Sequence, residues 1–95
     1  MTLIQLKYFI AVDTYRHFAT AADHCFVTQP TLSMQISKLE KELDILIFDR
    51  NKHPVEPTEI GKQIIAQARI VVQEAQRIDE LVKGSKGIVA GEFRL

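Results

Sequence analysis

The sequence predicts a mainly α fold: a winged helix-turn-helix with a short two-stranded wing, followed by a long dimerisation helix. Three observations predict it. The stretch FATAADHCFVTQPTLSMQISKLEKEL, Phe18 to Leu43, reads as a short alanine-rich helix, a tight turn and a longer capped helix. A β-prone run, Ile45-Leu46-Ile47-Phe48, then meets a turn at Asn51-Lys52-His53-Pro54, with Val55 beginning a return strand. Beyond Thr58, apolar residues recur every three or four positions as far as Val82.

The first helix starts at Thr2, whose hydroxyl can cap it while Gln5 completes a capping box. Leu3, Leu6, Phe9 and Ile10 form its apolar stripe, and the helix ends near Tyr15 or Arg16. In the second, from Phe18 to about Cys25, the residues Phe18, Ala21, Ala22 and Cys25 share one face. Small alanine side chains let two helices approach closely. Phe26-Val27 forms the turn, with Val27 plugging the corner.

Thr28 is a good N-cap for the third helix, and Pro30 falls in the first turn, where its missing N–H costs little. Leu32, Ile36, Leu39 and Leu43 make the buried stripe. The opposite face carries Pro30, Met34, Ser37, Lys38 and Lys41, flanked by Thr31 and Ser33 and bordered by Gln29 and Gln35. Asp44 ends the helix. Pro54 and Pro57 limit the second wing strand to an edge.

Thr58 caps the last helix, expected to run over 59–83. Ile60, Ile64, Ala68, Val71, Ala75, Ile78 and Val82 form its stripe, widened by Ile65, Val72 and Leu81. A head of this size cannot bury so broad a face, which therefore points to a second copy of the chain. Gly84-Ser85-Lys86-Gly87 reads as a hinge, and Ile88 to Leu95 as a strand opening a further regulatory domain.

Composition bounds the function without naming it. The 95 residues suit one small domain plus an appendage. No run of about 18 apolar residues occurs, so no membrane span is expected, and the start does not have the pattern of a secretory signal. One cysteine fits a reducing, cytoplasmic setting. The charge balance of twelve basic and twelve acidic residues argues against a nucleic-acid binder, so binding would depend on where the cations sit.

The chemistry available is recognition, with no catalysis, cofactor or metal expected. Ser, Thr and Gln side chains bond base edges or phosphates, Lys38 neutralises phosphate, and the free N–H groups at the third helix's start suit an anion. A polar face turned to water is the competing reading. Lys52 and His53 at the wing tip are placed for the minor groove or backbone, whereas Arg50 has two open roles, DNA contact or a pair with Asp49 or a helix acid. Met34 is an exposed contact or packs against the wing. Cys25, on an apolar face, reads as a small hydrophobe; with His24 alone it makes no metal site, and His17 and His24 read as surface or boundary residues. Gly61-Lys62-Gln63 lacks the flanking residues of a P-loop.

The pattern AAxxCxVTQPTLSxQIxKLEKEL, then Ile47-Phe48-Asp49-Arg50 and Thr58-Glu59-Ile60-Gly61, closely resembles the LysR-type transcriptional regulators over residues 1 to about 87. Arg16-His17-Phe18, Ala21-Ala22-Asp23 with Cys25, and Thr31-Leu32-Ser33 are most similar to the peroxide-sensing members of that family. In those members the redox cysteines belong to a C-terminal domain, so the likeness does not make Cys25 a sensor. The resemblance implies a winged helix-turn-helix at 1–58 with its core at 18–37, and a linker helix pairing antiparallel in a homodimer. It implies an inverted-repeat operator in double-stranded DNA and a role in the oxidative-stress response. The family's DNA contacts carry over to Gln29, Pro30, Thr31, Ser33 and Gln35, and to Met34, where many members have a basic residue. Three departures stand out: Asp44 for a glycine, His53 for a wing arginine, and Glu56-Pro57 before Thr58.

The expected DNA-binding set is thus Thr28, Gln29, Pro30, Thr31, Ser33, Met34, Gln35, Ser37, Lys38, Arg50, Lys52 and His53. Two alternatives remain open at this point: a dimeric winged-helix regulator of another family, and a helical protein-interaction module.

Overall fold

The structure, a computed structural model, describes residues 1–92. Four helices and a two-stranded ribbon follow one another: α1 (Leu3–Tyr15), α2 (Phe18–His24), α3 (Gln29–Leu43), β1 (Phe48–Asp49), β2 (Glu56–Pro57) and α4 (Glu59–Glu92).

Each helix of the head starts and stops on a residue suited to it. Thr2 and Gln5 close the expected capping box on α1. Arg16 ends α1 in the left-handed region at φ 57°, its N–H donating to the Val12 carbonyl at 2.8 Å. His17 caps α2, its Nδ1 accepting from the Thr20 N–H. Cys25 is the C-cap of that helix, so α2 ends one residue earlier than expected. Phe26 makes the turn at φ 58° and is 94 % exposed, while Val27 packs against the core as a corner plug. Asp44 adopts φ 55° at the end of α3, where the family has glycine; a short polar side chain tolerates that conformation.

The core gathers around aromatic rings. Phe9, Val12, Leu32, Ile36, Leu39, Ile47 and Phe48 are the large side chains wholly buried in it. Phe48 meets Phe9 and Phe18 edge-on, with ring centroids 6.3 Å and 6.4 Å apart. Ala21 and Ala22 are buried where α2 closes on its neighbours. Leu3, assigned to the α1 stripe, is exposed, and Val12 takes its share of the burial. Nearly every face of α1 is apolar, so periodicity alone could not choose between them.

The wing is shorter than its β-prone sequence suggests. Only Phe48 pairs with Pro57 and Asp49 with Glu56, antiparallel. Ile47, opposite Thr58 in this register, keeps one cross-ribbon bond through its carbonyl but gives its N–H to a buried carboxylate, so the ladder stops there. Its N–H donates to Glu40 Oε2 at 2.7 Å, and its carbonyl accepts the Thr58 N–H at 2.9 Å. The wing crosses a cis His53–Pro54 bond, and the Val55 N–H ties it to the Arg16 carbonyl at 3.0 Å.

Thr58 starts α4, its Oγ1 accepting the Gly61 N–H at 3.0 Å and donating to the Leu46 carbonyl at 2.6 Å. The helix then runs 34 residues, roughly 51 Å, and so passes the expected end at Lys83. The Gly84–Gly87 segment does not break it, and the strand expected from Ile88 is helical as far as Glu92. Glycine lowers helix propensity by about 1 kcal/mol but keeps its N–H and C=O, so the ladder continues, whereas a strand needs a partner to bond. Residues 93–95 of that expected strand lie outside the described residues.

One side of α4 belongs to the head. Ile65 and Ala68 are buried in its core, with Ile64 and Val72 packed beside them. Ala68, grouped by periodicity with the dimerisation stripe, is therefore used within the chain: it lies on the α4 face turned toward the head. Arg69 donates to Asp13 Oδ2 at 2.8 Å, and Asp13 also holds Arg16 at 3.0 Å, pinning α4 to the end of α1.

Gly61 marks the closest approach. A Cβ there would collide with the Ile47 carbonyl oxygen and lie 2.9 Å from its carbon, both backbone atoms that cannot rotate away. Gly61→Ala is expected to lower stability by about 1–3 kcal/mol despite its better helix propensity. Urea unfolding measures it, and an unchanged midpoint would mean that the close approach is not rigid.

Candidate nucleic-acid interface

The outward end of α3 is built around Thr28. Its Oγ1 accepts the Thr31 N–H at 3.3 Å and donates to Thr31 Oγ1 at 2.9 Å. Gln29, Pro30, Met34, Lys38 and Lys41 are exposed on this helix; Thr31, Ser33, Gln35 and Ser37 are half-buried along its flanks. Met34 is thus a surface residue and does not pack under the wing.

Arg50 locks the wing to α3. Its Nη1 donates to Ser33 Oγ at 2.9 Å and its Nη2 to the Ser33 carbonyl at 3.3 Å. The guanidinium lies 4.8 Å from the Phe18 ring centroid and 3.6 Å from Glu40 Oε1. Of the two roles open to Arg50 in the sequence, the structure takes the helix acid, and that acid is Glu40 rather than Asp49. Through these contacts Arg50 braces the wing against α3, while its side chain, about a third exposed, still lines the outer cleft.

Glu40 is a site residue that sequence motifs do not mark. It is the one buried charged side chain of the described residues, 7 % exposed. One carboxylate oxygen takes the Ile47 N–H at 2.7 Å and the Phe48 N–H at 3.3 Å; the other faces Arg50. The only sequence signal was position: Glu40 borders the stripe of Ile36, Leu39 and Leu43.

On the other flank Gln35 accepts from Gln5 Nε2 at 3.1 Å. The sequence marks Gln5 only as a cap, because its partner Gln35 lies on another helix.

The wing tip, Asn51 to Pro54, is exposed. Lys52 Nζ sits 3.1 Å from Glu56 Oε2 across the ribbon. The hydrogen bond to Glu56, then the charges of Glu56 and Asp49, push the Lys52 ammonium above its ordinary range, so it stays charged. An exposed pair of this kind is held weakly, and Lys52 can leave Glu56 for a phosphate at little cost.

An open cleft between α2, α3 and the wing brings together His17, Gln29, Ser33, Arg50 and His53. Ser37 is not part of it; with Lys41, Asp44 and Leu46 it lines a separate hollow at the other end of α3. His24 stacks on Tyr15 with centroids 4.1 Å apart. Cys25 is half-buried, and burial pushes its thiol up, away from reactive thiolate. No cluster of three metal-ligating side chains occurs among the described residues, and no described helix is long and apolar enough to cross a membrane.

Residues 3–62 match the family described as bacterial regulatory helix-turn-helix proteins of the lysR family. The chain belongs to the LysR family. This LysR chain is 38 % identical over all its 95 residues to a hydrogen peroxide-inducible genes activator of Haemophilus influenzae, covering 32 % of it. It is 37 % identical over the same span to the DNA-binding transcriptional dual regulator OxyR of Escherichia coli K12, covering 31 %. It thus spans about a third of the length of these curated relatives. Full-length OxyR from Pseudomonas aeruginosa superposes with a TM-score of 0.85 at 46 % identity, over 90 % of this chain and 29 % of that one. The BenM DNA-binding domain in complex with benA site 1 DNA superposes at 0.78 and 36 % identity, over 97 % of this chain and all of that one. The fold class expected from the sequence, a winged helix-turn-helix followed by a long helix, is that of these LysR neighbours.

Removing the carboxylate of Glu40 from this LysR head leaves two backbone N–H groups without their acceptor and the Arg50 guanidinium without its counter-ion. Glu40→Ala is expected to cost about 3 kcal/mol in urea unfolding. Glu40→Gln, which still accepts from the N–H pair, should cost clearly less; equal losses would refute the charge argument.

Proposed function

We infer that this chain is the DNA-binding and dimerising part of a LysR-type transcriptional regulator of the peroxide-responsive kind. It binds an inverted-repeat operator in double-stranded DNA, as a homodimer, and performs no reaction. The observation that carries this reading is the Arg50 brace, which presents the exposed start of α3 and the wing tip on one side of the head. The fold shared with a domain solved in complex with DNA supports DNA binding by this head.

Gln29, Pro30, Thr31, Ser33, Met34 and Gln35 are then the residues at base edges. Thr28, Ser37 and Lys38 lie along the backbone, with Lys52 and His53 at the wing. Arg50 serves from behind.

The dimer is argued from α4. Ile60, Val71, Ile78 and Val82 stay exposed along one stripe, Ile78 at 63 %, with Ile64 and Ala75 at its edge; Leu81, beside it, is 69 % exposed. Such a stripe on a helix far longer than its own head suits a twofold pairing with a second copy, and a twofold protein reads an inverted repeat. In the whole regulator, an oxidative event outside this span would change the spacing of the two heads. The setting proposed is the cytoplasm, where operator DNA lies.

Fluorescence anisotropy against an inverted-repeat duplex selected from a random pool, beside a scrambled one, tests the reading. Preference of at least about a hundredfold, or roughly 2.7 kcal/mol, is expected. Gln29→Ala should lose about 1–3 kcal/mol of it while the dimer persists. Equal, weak, salt-sensitive binding to both duplexes would reduce the claim to non-specific contact. No binding to either, with the dimer intact, would favour a protein-interaction module.

Ile78→Glu should shift the chain from dimer to monomer in sedimentation and weaken operator binding. A dimer indifferent to that charge would place the interface elsewhere.

A further inference from the structure

The hydrogen-bond polarity of α3 is decided by groups behind it. Backbone N–H groups and guanidiniums only donate. The Thr2 N–H lies 2.9 Å from one end of the Gln5 amide, so that end is the oxygen. The Gln5 nitrogen is then the end 3.1 Å from Gln35, and the Gln35 atom it meets is in turn an oxygen. Gln35 is left with its Nε2, two N–H groups that Gln5 does not engage. No buried side-chain nitrogen or oxygen lacks a partner among the described residues, so this amide nitrogen reaches solvent. Ser33 has the same constraint from the other side. Its Oγ accepts from Arg50 at 2.9 Å, and a fixed cation there disfavours a second donor in front of it.

We propose that Gln5 is a positioning residue that holds Gln35 as a hydrogen-bond donor toward DNA, as Arg50 holds Ser33, so that α3 reads acceptor atoms on base edges. The inference rests on the DNA reading above. A free glutamine pairs with adenine through both ends of its amide, donating to N7 and accepting from N6. With its oxygen turned to Gln5, Gln35 keeps only the donor end. Guanine, whose O6 and N7 both accept, becomes its preferred base. Gln5 touches no DNA in this arrangement, yet it chooses the base.

The test selects duplexes from a random pool with the wild-type chain and repeats the selection with three variants. Gln35→Ala locates the base pair that Gln35 reads, as the one whose preference flattens. There the wild type is expected to favour guanine over adenine by about tenfold or more. Gln5→Met carries no charge and frees the Gln35 amide to turn, so adenine should come within about threefold of guanine. Gln5→Glu still accepts the Thr2 N–H and keeps the capping box. It should turn the Gln35 amide round and favour a base that donates, with an unchanged melting temperature. The proposal is overturned if Gln35→Ala flattens no position, or if both Gln5 variants keep the wild-type preference. A uniform loss of affinity on every duplex also overturns it, since that marks charge repulsion alone. Wild-type chain without preference for any duplex overturns the DNA reading itself, and this inference with it.

Discussion

Glu40 brings a negative charge into the interior of the head, and the surroundings of α3 are arranged to satisfy it. Two backbone N–H groups at Ile47 and Phe48 bind one oxygen, which fixes the path of the chain as it leaves α3. Arg50 answers the other oxygen and, in doing so, lays its guanidinium over Phe18 and against Ser33. Helix α2, helix α3 and the wing are thereby joined through one ion pair. Such a pair contributes little net stability compared with apolar packing, because Glu40 is desolvated and Arg50 partly so. Its use here is geometric: only one arrangement of wing and helix satisfies every partner.

That economy also accounts for a DNA-binding head on a chain of zero net charge. Several of the charges face one another. Asp13 holds Arg16 and Arg69, Glu40 holds Arg50, and Glu56 meets Lys52. Lys38 and Lys41 remain exposed on α3, with no ion pair among the described residues. Net charge sums over all faces, whereas a phosphate meets only one, and beyond about 8–10 Å salt screens the rest. Modest non-specific attraction would leave more of the discrimination to hydrogen bonds, whose donors and acceptors are fixed from behind.

Helix α4 divides its apolar residues between two tasks. Gly61, Ile65, Ala68 and Val72 lie toward the head, where the Asp13–Arg69 bridge holds them. Ile60, Val71, Ile78 and Val82 lie on the adjacent face and stay exposed. The two faces adjoin, so a periodicity plot shows one broad stripe, and only packing against α1 separates them.

Local signals were legible in the sequence because their causes are local. Thr2, Thr28 and Thr58 bond N–H groups three residues on, Ala21 and Ala22 are small wherever they lie, and Asp44 tolerates a left-handed turn by itself. Those residues determined four helices, the turn and the place of the wing. The partners of Glu40, Arg50, Gln5 and Ala68 were not legible. Arg50 is 17 residues from Ser33, and Gln35 is 30 from Gln5. Which polar group faces which depends on how the helices cross. Burial then makes each choice binding, because an unpaired polar group in the interior costs more than a paired one returns. The sequence by itself determined where the helices start and which residues cap them; the tertiary structure decided which polar atoms of α3 are engaged from behind, and which face of α4 stays exposed.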